Sequence, residues 1–255
     1  MKCVILAGGR GTRIAEESNT QPKPLVRIGD SPVILHIMKY YSSFGVNDFV
    51  ICLGYKGYLI KEYFANYILH QSDVTIDFKE NSVEYHDLRS EPWRVTLVDT
   101  GLDTMTGGRL KRIAPFVRDD PFFFLTYGDG VSDVDISAQK AFHQQHGLLA
   151  TMTVTAPTGR FGTPTIDGDL VVNFEEKPAK GGLVNGGFFV MSPGIFDLIE
   201  GDSTSLEHEP LRSLAQNRQL AAWRHDGFWH PMDTVRDRDH LENLWVNGVA
   251  PWKVW

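Results

Sequence analysis

The first half of the chain alternates short apolar runs with stretches of helical periodicity, and this alternation constrains the fold most. Residues 3–6, 49–53 and 122–126 are apolar runs that are typical of buried strands. Between them, the spacing of apolar residues predicts one helix over residues 31–45 and another over residues 58–69. Strands that alternate with helices predict a layered α/β sheet in which the strands run parallel.

The second half of the chain has a different pattern. Apolar runs over residues 151–155, 170–174 and 187–191 read as strands with short connections, which indicates antiparallel or mixed pairing. We expect one domain over residues 1–255, in which these strands extend the sheet. Two further strands are predicted over 74–78 and 95–98. Further helices are predicted over 110–117, from Asp135 to His146, near 208–217 and over 234–247. Asp135 is the predicted cap of its helix, and Ser31 is the predicted cap of the helix over 31–45.

The composition indicates a globular protein with a sizeable core. Hydrophobic residues make up 42% of the 255 residues, and the formal net charge of −7 argues against a general nucleic-acid-binding surface. No apolar run approaches the roughly 20 residues of a membrane-spanning helix. Gly8, Gly9 and Arg10 interrupt the first apolar run too early for a signal peptide. We therefore expect a cytoplasmic protein in which Cys3 and Cys52 are small buried hydrophobes.

A loop rich in glycine and arginine, LAGGRGTR at residues 6–13, follows the first predicted strand. Backbone N–H groups in such a loop can bind phosphate, although an ordinary tight turn also uses glycines. Arg10 and Arg13 bracket Gly11-Thr12, which a turn does not require, so the arginines favour phosphate. The loop is not a P-loop, which needs Gly-Lys-Ser/Thr, and it is not a dinucleotide-binding fingerprint, because Ile14 stands in place of the third glycine.

Three further polar residues are candidates for the same site. Lys23 lies between Pro22 and Pro24, which fix the backbone around it, although a solvated loop lysine also fits this pattern. Asp129 follows a buried strand at the kind of sheet edge where α/β proteins bind ligands, although Gly-Asp-Gly is also a common turn. Asp233 precedes the last predicted helix, where it is either a functional carboxylate or the N-cap.

These motifs resemble a known family. Leu6-Ala7-Gly8-Gly9-Arg10-Gly11-Thr12-Arg13, followed by Pro22-Lys23-Pro24, resembles the signature of the sugar-phosphate nucleotidyltransferases, also called nucleotide-sugar pyrophosphorylases. Later segments are similar to the branch of this family that uses CTP, namely Glu91-Pro92-Trp93, Asp99-Thr100-Gly101, Met105-Thr106-Gly107-Gly108-Arg109, Thr126-Tyr127-Gly128-Asp129-Gly130, Asn185-Gly186-Gly187-Phe188-Phe189-Val190, Pro231-Met232-Asp233-Thr234 and Ala250-Pro251-Trp252-Lys253-Val254-Trp255.

The resemblance implies a Rossmann-like layered mixed sheet with a smaller β-rich region on the sugar side, of the nucleotide-diphospho-sugar transferase type. Residues from 1 to about 150 would be the nucleotide-binding half, and residues from about 151 to 255 the sugar-binding half with the C-terminal helices. The implied reaction transfers a cytidylyl group from CTP to α-D-glucose 1-phosphate, giving CDP-glucose and pyrophosphate for deoxysugar and polysaccharide biosynthesis. Another pyrimidine nucleotide or another sugar 1-phosphate is the alternative.

This chemistry needs cations more than it needs proton transfer. A phosphate-monoester oxygen is already an anion near neutral pH, because its second pKa is about 6. No general base is required, so catalysis would depend on positioning and on charge stabilisation of the leaving group.

The implied site has catalytic residues, a metal site and substrate contacts. Arg13, Lys23 and Asp129 are the implied catalytic residues, and Asp129 and Asp233 are the implied Mg²⁺ ligands. Glu176 would accept hydrogen bonds from sugar hydroxyls, and Lys177 would hold the sugar phosphate. The implied substrate-binding residues are Leu6, Ala7, Gly8, Gly9, Arg10, Gly11, Thr12, Arg13, Lys23, Thr104, Arg109, Gly128, Gly162, Glu176, Lys177, Asn185 and Gly187.

Two other classes of protein compete with this interpretation. A metal-dependent glycosyltransferase would use an Asp-x-Asp motif, which Asp167-Gly168-Asp169 spells, but the flanking residues predict a hairpin turn there. A sugar-nucleotide-binding regulatory subunit would be expected to lack Arg13, Lys23 or Asp129, and all three are present.

The family commonly forms oligomers, so we expect a homo-oligomer. The tail that carries Trp245, Trp252 and Trp255 is either a contact surface between subunits or packs against its own chain.

Overall fold

The apolar runs of the sequence form strands, most of which join one central mixed sheet. The computed structural model describes residues 1–14, 20–87, 91–156, 163–167, 170–175 and 183–255. The strands in these ranges are β1 (Lys2–Leu6), β2 (Arg27–Ile28), β3 (Ser31–Pro32), β4 (Asp48–Leu53), β5 (Asp73–Asp77), β6 (Ser82–His86), β7 (Arg94–Asp99), β8 (Phe123–Tyr127), β9 (Gly130–Ser132), β10 (Ala150–Thr155), β11 (Thr163–Asp167), β12 (Leu170–Glu175), β13 (Val184–Met191), β14 (Leu220–His225) and β15 (Trp229–Pro231).

Seven of these strands form the central sheet in the order β14-β10-β13-β8-β1-β4-β7. β1 pairs in parallel with β4 and β8, and β4 pairs in parallel with β7. β13 runs antiparallel to both of its neighbours, β8 and β10, and β14 continues in parallel beyond β10. The parallel first half and the mixed addition from the second half are therefore confirmed.

Helices cover both faces of this sheet. They are α1 (Val33–Ser43), α2 (Gly57–Ala65), α3 (Tyr67–Gln71), α4 (Thr106–Arg112), α5 (Ala114–Val117), α6 (Ile136–His146), α7 (Glu209–Gln216) and α8 (Val235–Val246). The side chains of β1 alternate between two cores, with Cys3 and Ile5 in one and Val4 and Leu6 in the other. Residues of α1, α2, α6 and α8 belong to the first core, and residues of α4, α5 and α7 to the second.

Short antiparallel pairs flank the central sheet. β9 pairs with β15, so that Gly130 lies opposite Pro231. β11 pairs with β12, as the hairpin prediction requires, although Gly168 and Asp169 themselves lie outside the described residues. The strand predicted over 74–78 is β5, which pairs with β6 in a separate hairpin and not with the central sheet.

One of two predicted N-caps is confirmed and the other is wrong. Ser31 forms β3 with Pro32, so α1 begins at Val33 without a side-chain cap. Asp135 does cap α6, since its carboxylate accepts a hydrogen bond from the Ala138 N–H at 2.8 Å. The helices predicted near 208–217 and over 234–247 are confirmed as α7 and α8.

Two predicted helices are each divided in two. The helix predicted over 58–69 is interrupted at Asn66, whose side chain donates to the Glu62 carbonyl oxygen at 2.9 Å and competes with the helical hydrogen bonds. The helix predicted over 110–117 begins earlier, at Thr106, and α4 ends before α5 because Pro115 has no N–H to continue it.

Both cysteines are buried and free, as predicted. Across the described ranges, we find no helix with the length and apolar character that a membrane span requires.

Candidate active site

A cleft of about 380 Å³ lies at the sheet edge where β1 and β8 end. Carboxyl ends of parallel strands are where open α/β sheets bind ligands. The predicted site residues that line this cleft are Leu6, Ala7, Gly8, Gly9, Gly11, Thr12, Lys23, Thr104, Arg109, Gly128, Asp129 and Asp233, and the residues that complete it are Pro24, Met105, Thr106 and Tyr127.

The other predicted site residues lie elsewhere or outside the described residues. Asn185 and Gly187 border a smaller neighbouring cavity of about 50 Å³, which Tyr127 and Asp129 also line. Arg10 is exposed, and its guanidinium contacts the Asp103 carboxylate at 2.7 Å. The backbone of Arg13 lies in a 3₁₀ turn over Thr12–Ile14, and its side chain is outside the description. Gly162, Glu176 and Lys177 also lie outside the described residues.

Arg109 holds three loops of the cleft together. The side chain is buried, and its terminal nitrogens donate to backbone carbonyl oxygens of Gly8 at 3.1 Å and Leu53 at 3.0 Å. The same nitrogens donate to the Thr100 hydroxyl at 2.8 Å and to the Gly101 carbonyl at 2.7 Å. Burial lowers the pKa of the guanidinium, which nevertheless stays charged because arginine is not deprotonated in proteins.

The substrate-binding role of Arg109 stays a prediction, and its contacts add a structural role. The residue does line the cleft, but both terminal nitrogens donate to groups of the protein itself. Gly8 must be a glycine for this contact, because a Cβ there would lie 2.3 Å from Arg109 Nη1. The arginine thus holds the glycine loop in place at Gly8.

Lys23 sits at the polar end of the cleft. Pro22 is extended, and Lys23 begins a 3₁₀ turn that ends at Leu25, so the prolines fix the backbone as predicted. The ammonium contacts Asp129 Oδ2 at 2.6 Å and Asp233 Oδ1 at 2.8 Å, and the side chain is only 11% exposed. Burial alone would lower the pKa of Lys23, but the two carboxylates outweigh it and the pKa is raised.

The pairing of β9 with β15 brings the two carboxylates together. Gly130 lies opposite Pro231, and the Met232 N–H donates to the Asp129 carbonyl oxygen at 2.8 Å. Asp129 directly precedes β9 and Asp233 follows β15, so the two residues lie at the same end of this antiparallel pair although they are far apart in the sequence.

Asp233 is not the N-cap of the last helix. Thr234 caps α8, and its hydroxyl accepts from the Asp237 N–H at 3.2 Å. The Asp237 carboxylate reaches back and accepts from the Thr234 N–H at 2.8 Å, which completes a capping box. Because Thr234 supplies the cap, the carboxylate of Asp233 is left to face Lys23.

The donor set at this end of the cleft fits Mg²⁺. Two carboxylates converge on one cationic atom, and Mg²⁺ prefers oxygen ligands, commonly one or two carboxylates completed by phosphates and water. Within the described parts of the chain, no cluster of three or more His, Cys, Asp or Glu side chains could hold a metal ion. Asp129 and Asp233 could therefore hold the ion only together with substrate or water oxygens.

Four lining residues of the cleft were not among the predicted site residues, namely Pro24, Met105, Thr106 and Tyr127. Tyr127 could have been found, because it is the last residue of β8 and directly precedes Gly128-Asp129 at the ligand-binding edge. Met105 and Thr106 carry no such signal, since their place at the start of α4 became evident only when that helix proved longer than predicted.

Sequence comparison relates the chain to enzymes of one family. The pattern of the nucleotidyl transferase family matches residues 2–230. The chain is 58% identical over 256 aligned positions to the glucose-1-phosphate cytidylyltransferase of Salmonella typhi, with 100% of each chain covered. It is 31% identical to the mannose-1-phosphate guanyltransferase of Saccharomyces cerevisiae, with 98% of this chain and 66% of that protein covered.

Solved structures share the fold. The UDP-glucose pyrophosphorylase of Acinetobacter baumannii superposes with a TM-score of 0.70 over 98% of this chain and 95% of that one, at 18% identity. A UDP-glucose pyrophosphorylase complexed with UDP-glucose gives a TM-score of 0.69 at 16% identity, with 97% and 98% covered. The mixed sheet is thus of the nucleotide-diphospho-sugar transferase type. Family pattern and full-length identity together show that the chain is an enzyme that belongs to the nucleotidyl transferase family.

Proposed function

We propose that the protein transfers a cytidylyl group from CTP to α-D-glucose 1-phosphate, giving CDP-glucose and pyrophosphate. An oxygen of the sugar phosphate forms a bond to the α-phosphorus of CTP, and the bond from that phosphorus to the pyrophosphate oxygen breaks. The observation that carries the chemistry is the convergence of Lys23, Asp129 and Asp233 beside the glycine loop. The choice of CTP and glucose rests on the full-length identity to the Salmonella enzyme.

The reaction joins two polyanions, and the proposed roles follow from charge. Gly8, Gly9, Gly11 and Thr12 line the cleft, and the backbone N–H groups of this loop would bind the triphosphate. Lys23 would turn its ammonium from the carboxylates to the reacting phosphates and stabilise the leaving pyrophosphate. Mg²⁺, when held by Asp129 and Asp233, would supply positive charge at the phosphate oxygens. We assign Arg13 to the same phosphates on the family resemblance.

The sugar side is proposed to lie next to this cleft. Asn185 and Gly187 border the smaller cavity, which meets the cleft at Tyr127 and Asp129. Residues from about 151 onward would thus form the sugar-binding half. On the family resemblance, we assign Glu176 to the sugar hydroxyls and Lys177 to the sugar phosphate, and Gly162 to the sugar-binding residues.

A pyrophosphate-release assay tests the proposal. Purified protein is supplied with Mg²⁺ and each combination of CTP, UTP, dTTP, ATP and GTP with several sugar 1-phosphates. We expect CTP with glucose 1-phosphate to dominate and the product to be CDP-glucose. Another dominant pair would refute the cytidylyl assignment and leave the nucleotidyl transferase chemistry intact. Release of a nucleoside diphosphate in place of pyrophosphate would indicate a glycosyltransferase.

We further propose that the enzyme works in the cytoplasm, in the supply of a nucleotide sugar for deoxysugar and polysaccharide biosynthesis. Two buried free thiols, Cys3 and Cys52, support a reducing compartment.

We also propose that the enzyme is a homo-oligomer. The β5–β6 hairpin exposes Ile76, Phe78 and Val83 by 49%, 90% and 50%, and an isolated two-stranded hairpin is only marginally stable in water. In the C-terminal tail, Trp252 is buried in its own chain, whereas Trp255 is 39% exposed. Light scattering of Phe78→Ser against Val254→Ser would show which surface holds subunits together, and a monomeric wild-type protein would refute the proposal.

A further inference from the structure

Tyr127 stands between the two cavities of the site. It lines both the large cleft and the smaller cavity beside Asn185 and Gly187. Its ring packs directly on the backbone of Gly187, where a Cβ would lie 2.6 Å from Tyr127 Cδ2. Gly187 also has a backbone φ of +78°, which residues other than glycine rarely adopt. The position of this ring therefore sets the wall between the nucleotide side and the sugar side.

The hydroxyl of Tyr127 is held by a side chain from a distant part of the chain. It donates to Glu207 Oε1 at 2.5 Å. Asn185 lines the smaller cavity beside this ring, and its side-chain carbonyl oxygen accepts from the Gly187 N–H at 2.9 Å. Because an ionised carboxylate can only accept, the Tyr127 hydroxyl is the donor in this contact with Glu207.

Glu207 connects this tyrosine to the nucleotide side. Its second oxygen accepts hydrogen bonds from the Thr106 hydroxyl at 2.6 Å and from the Ser205 hydroxyl at 2.6 Å. Thr106 is the first residue of α4 and lines the large cleft. The Leu206 N–H donates to the same Thr106 hydroxyl at 2.9 Å, so the loop before α7 is fastened to α4 at this point.

The charge of Glu207 is stabilised where it stands. Desolvation would raise the pKa of its carboxyl, but the hydrogen bonds from Ser205, Thr106 and Tyr127 outweigh desolvation and lower the pKa. Glu207 is an exposed loop residue, yet three hydroxyl donors converge on its carboxylate. Glu207 itself lines neither cavity, so it would act through the residues that it holds.

We propose that Glu207 is a positioning residue, which fixes Tyr127 against the sugar side and Thr106 against the nucleotide side and thereby sets the separation of the two substrates. The inference rests on the proposed function, because it assumes that sugar phosphate and nucleotide occupy the two cavities. It predicts that each hydroxyl affects a different substrate and that Glu207 affects both.

Steady-state kinetics of the full-length enzyme test this split. Tyr127→Phe removes only the hydroxyl and should raise KM for glucose 1-phosphate about tenfold, because a hydrogen bond to a charged group is lost. Thr106→Val should raise KM for CTP and leave KM for the sugar phosphate close to that of the wild type. Glu207→Ala should raise KM for CTP and KM for glucose 1-phosphate. Glu207→Gln should bring KM for glucose 1-phosphate back most of the way to the wild-type value, since its amide oxygen can still accept from Tyr127.

The double variant decides whether Glu207 acts through Tyr127. Glu207→Ala in the Tyr127→Phe background should raise KM for glucose 1-phosphate no further than either single change, whereas multiplied effects would overturn the proposal. Unchanged KM values in folded Tyr127→Phe and Thr106→Val would overturn it too, even if Glu207→Ala fails to fold. Glu209→Gln is the matched control, because Glu209 is exposed, lines neither cavity and pairs with Arg212 of its own helix at 3.2 Å.

The two proposals fail in different ways. A wild-type enzyme that prefers another nucleotide or sugar 1-phosphate contradicts the proposed function, and the same variants are then assayed with the preferred pair. A wild-type enzyme that makes CDP-glucose, with variants that show no KM split, contradicts the inference alone.

Discussion

Replacing Lys23 by methionine should make the protein more dependent on Mg²⁺ for its stability. Methionine keeps an unbranched side chain of similar length and removes the charge. The ammonium of Lys23 contacts Asp129 at 2.6 Å and Asp233 at 2.8 Å, so the change leaves two carboxylates facing each other without a cation. The two negative charges then repel each other, which lowers the stability of the native state.

The distances give the size of the effect. At an effective dielectric constant of about 20, each contact contributes about 6 kcal/mol of attraction before desolvation is counted. Removing one partner of a buried pair costs about 3–5 kcal/mol net. The carboxylates of Asp129 and Asp233 remain 32% and 25% exposed, which favours the lower end. A loss of about 3 kcal/mol lowers Tm by about 6–12 °C in a chain of this size.

Magnesium should reverse this loss in the variant. In the wild type, the Lys23 ammonium already occupies the space between the carboxylates and competes with a bound ion. In Lys23→Met the ion meets both carboxylates without that competition, so saturating Mg²⁺ should raise Tm more than it does in the wild type. Turnover should nevertheless fall by about 10²–10³, because a fixed charge at the leaving group is worth about 3–4 kcal/mol.

The assay is a thermal melt with and without Mg²⁺, combined with pyrophosphate release. Lys39→Met is the matched control, since Lys39 contacts Glu91 at the same 2.6 Å but away from the cleft. That control should lose some stability without gaining any response to Mg²⁺. Equal Mg²⁺-induced shifts in the wild type and Lys23→Met, or near-normal turnover in the folded variant, would refute the reasoning.

Three further predictions concern single sites. Asp129→Asn and Asp233→Asn should each abolish turnover with an unchanged circular dichroism spectrum, and retention of activity by either would remove it from the metal site. Gly8→Ala should displace Arg109, whose Nη1 would lie 2.3 Å from the new Cβ, with a cost of about 1–3 kcal/mol in stability and a weaker affinity for CTP measured by calorimetry. Burial and the neighbouring His146 lower the pKa of His143 to about 4, so stability should fall as pH drops from about 6.5 to about 4, where the unfolded chain binds a proton that the native state refuses. Denaturant unfolding should show that the free energy of unfolding of His143→Asn depends less on pH over that range than that of the wild type. The same pH dependence in both proteins would contradict the prediction.

The core of the fold was readable from the sequence because buried strands have a strong pattern. Residues 3–6, 49–53 and 122–126 are short apolar runs between helical segments, and they became β1, β4 and β8. Lys23 was readable too, since two prolines around one lysine imply a fixed backbone. The pairing of β9 with β15 could not be predicted from the sequence, because strands of three residues are too short to show any periodicity.

Other features were left open by the sequence or were not visible in it, for equally local reasons. Asp233 could be either a functional carboxylate or the N-cap, and the capping box of Thr234 with Asp237 excludes the cap. The contacts of Arg109 could not be foreseen, because its partners are largely backbone carbonyls and every residue has one. Glu207 lies in a loop without apolar pattern, so only the folded structure brings it to Tyr127.

The pairing of β9 with β15 also determines when the site can form. Asp129 and Lys23 belong to the part of the chain that a ribosome releases first, whereas Asp233 lies near the other end of the sequence. A nascent chain can build β1, β4 and β8 long before β15 exists to lie beside β9. Until then one carboxylate alone faces Lys23, so the proposed pair of carboxylates forms later than the parallel strands of the sheet. An incomplete chain that ends before β15 would fold much of its sheet and remain inert toward its substrates.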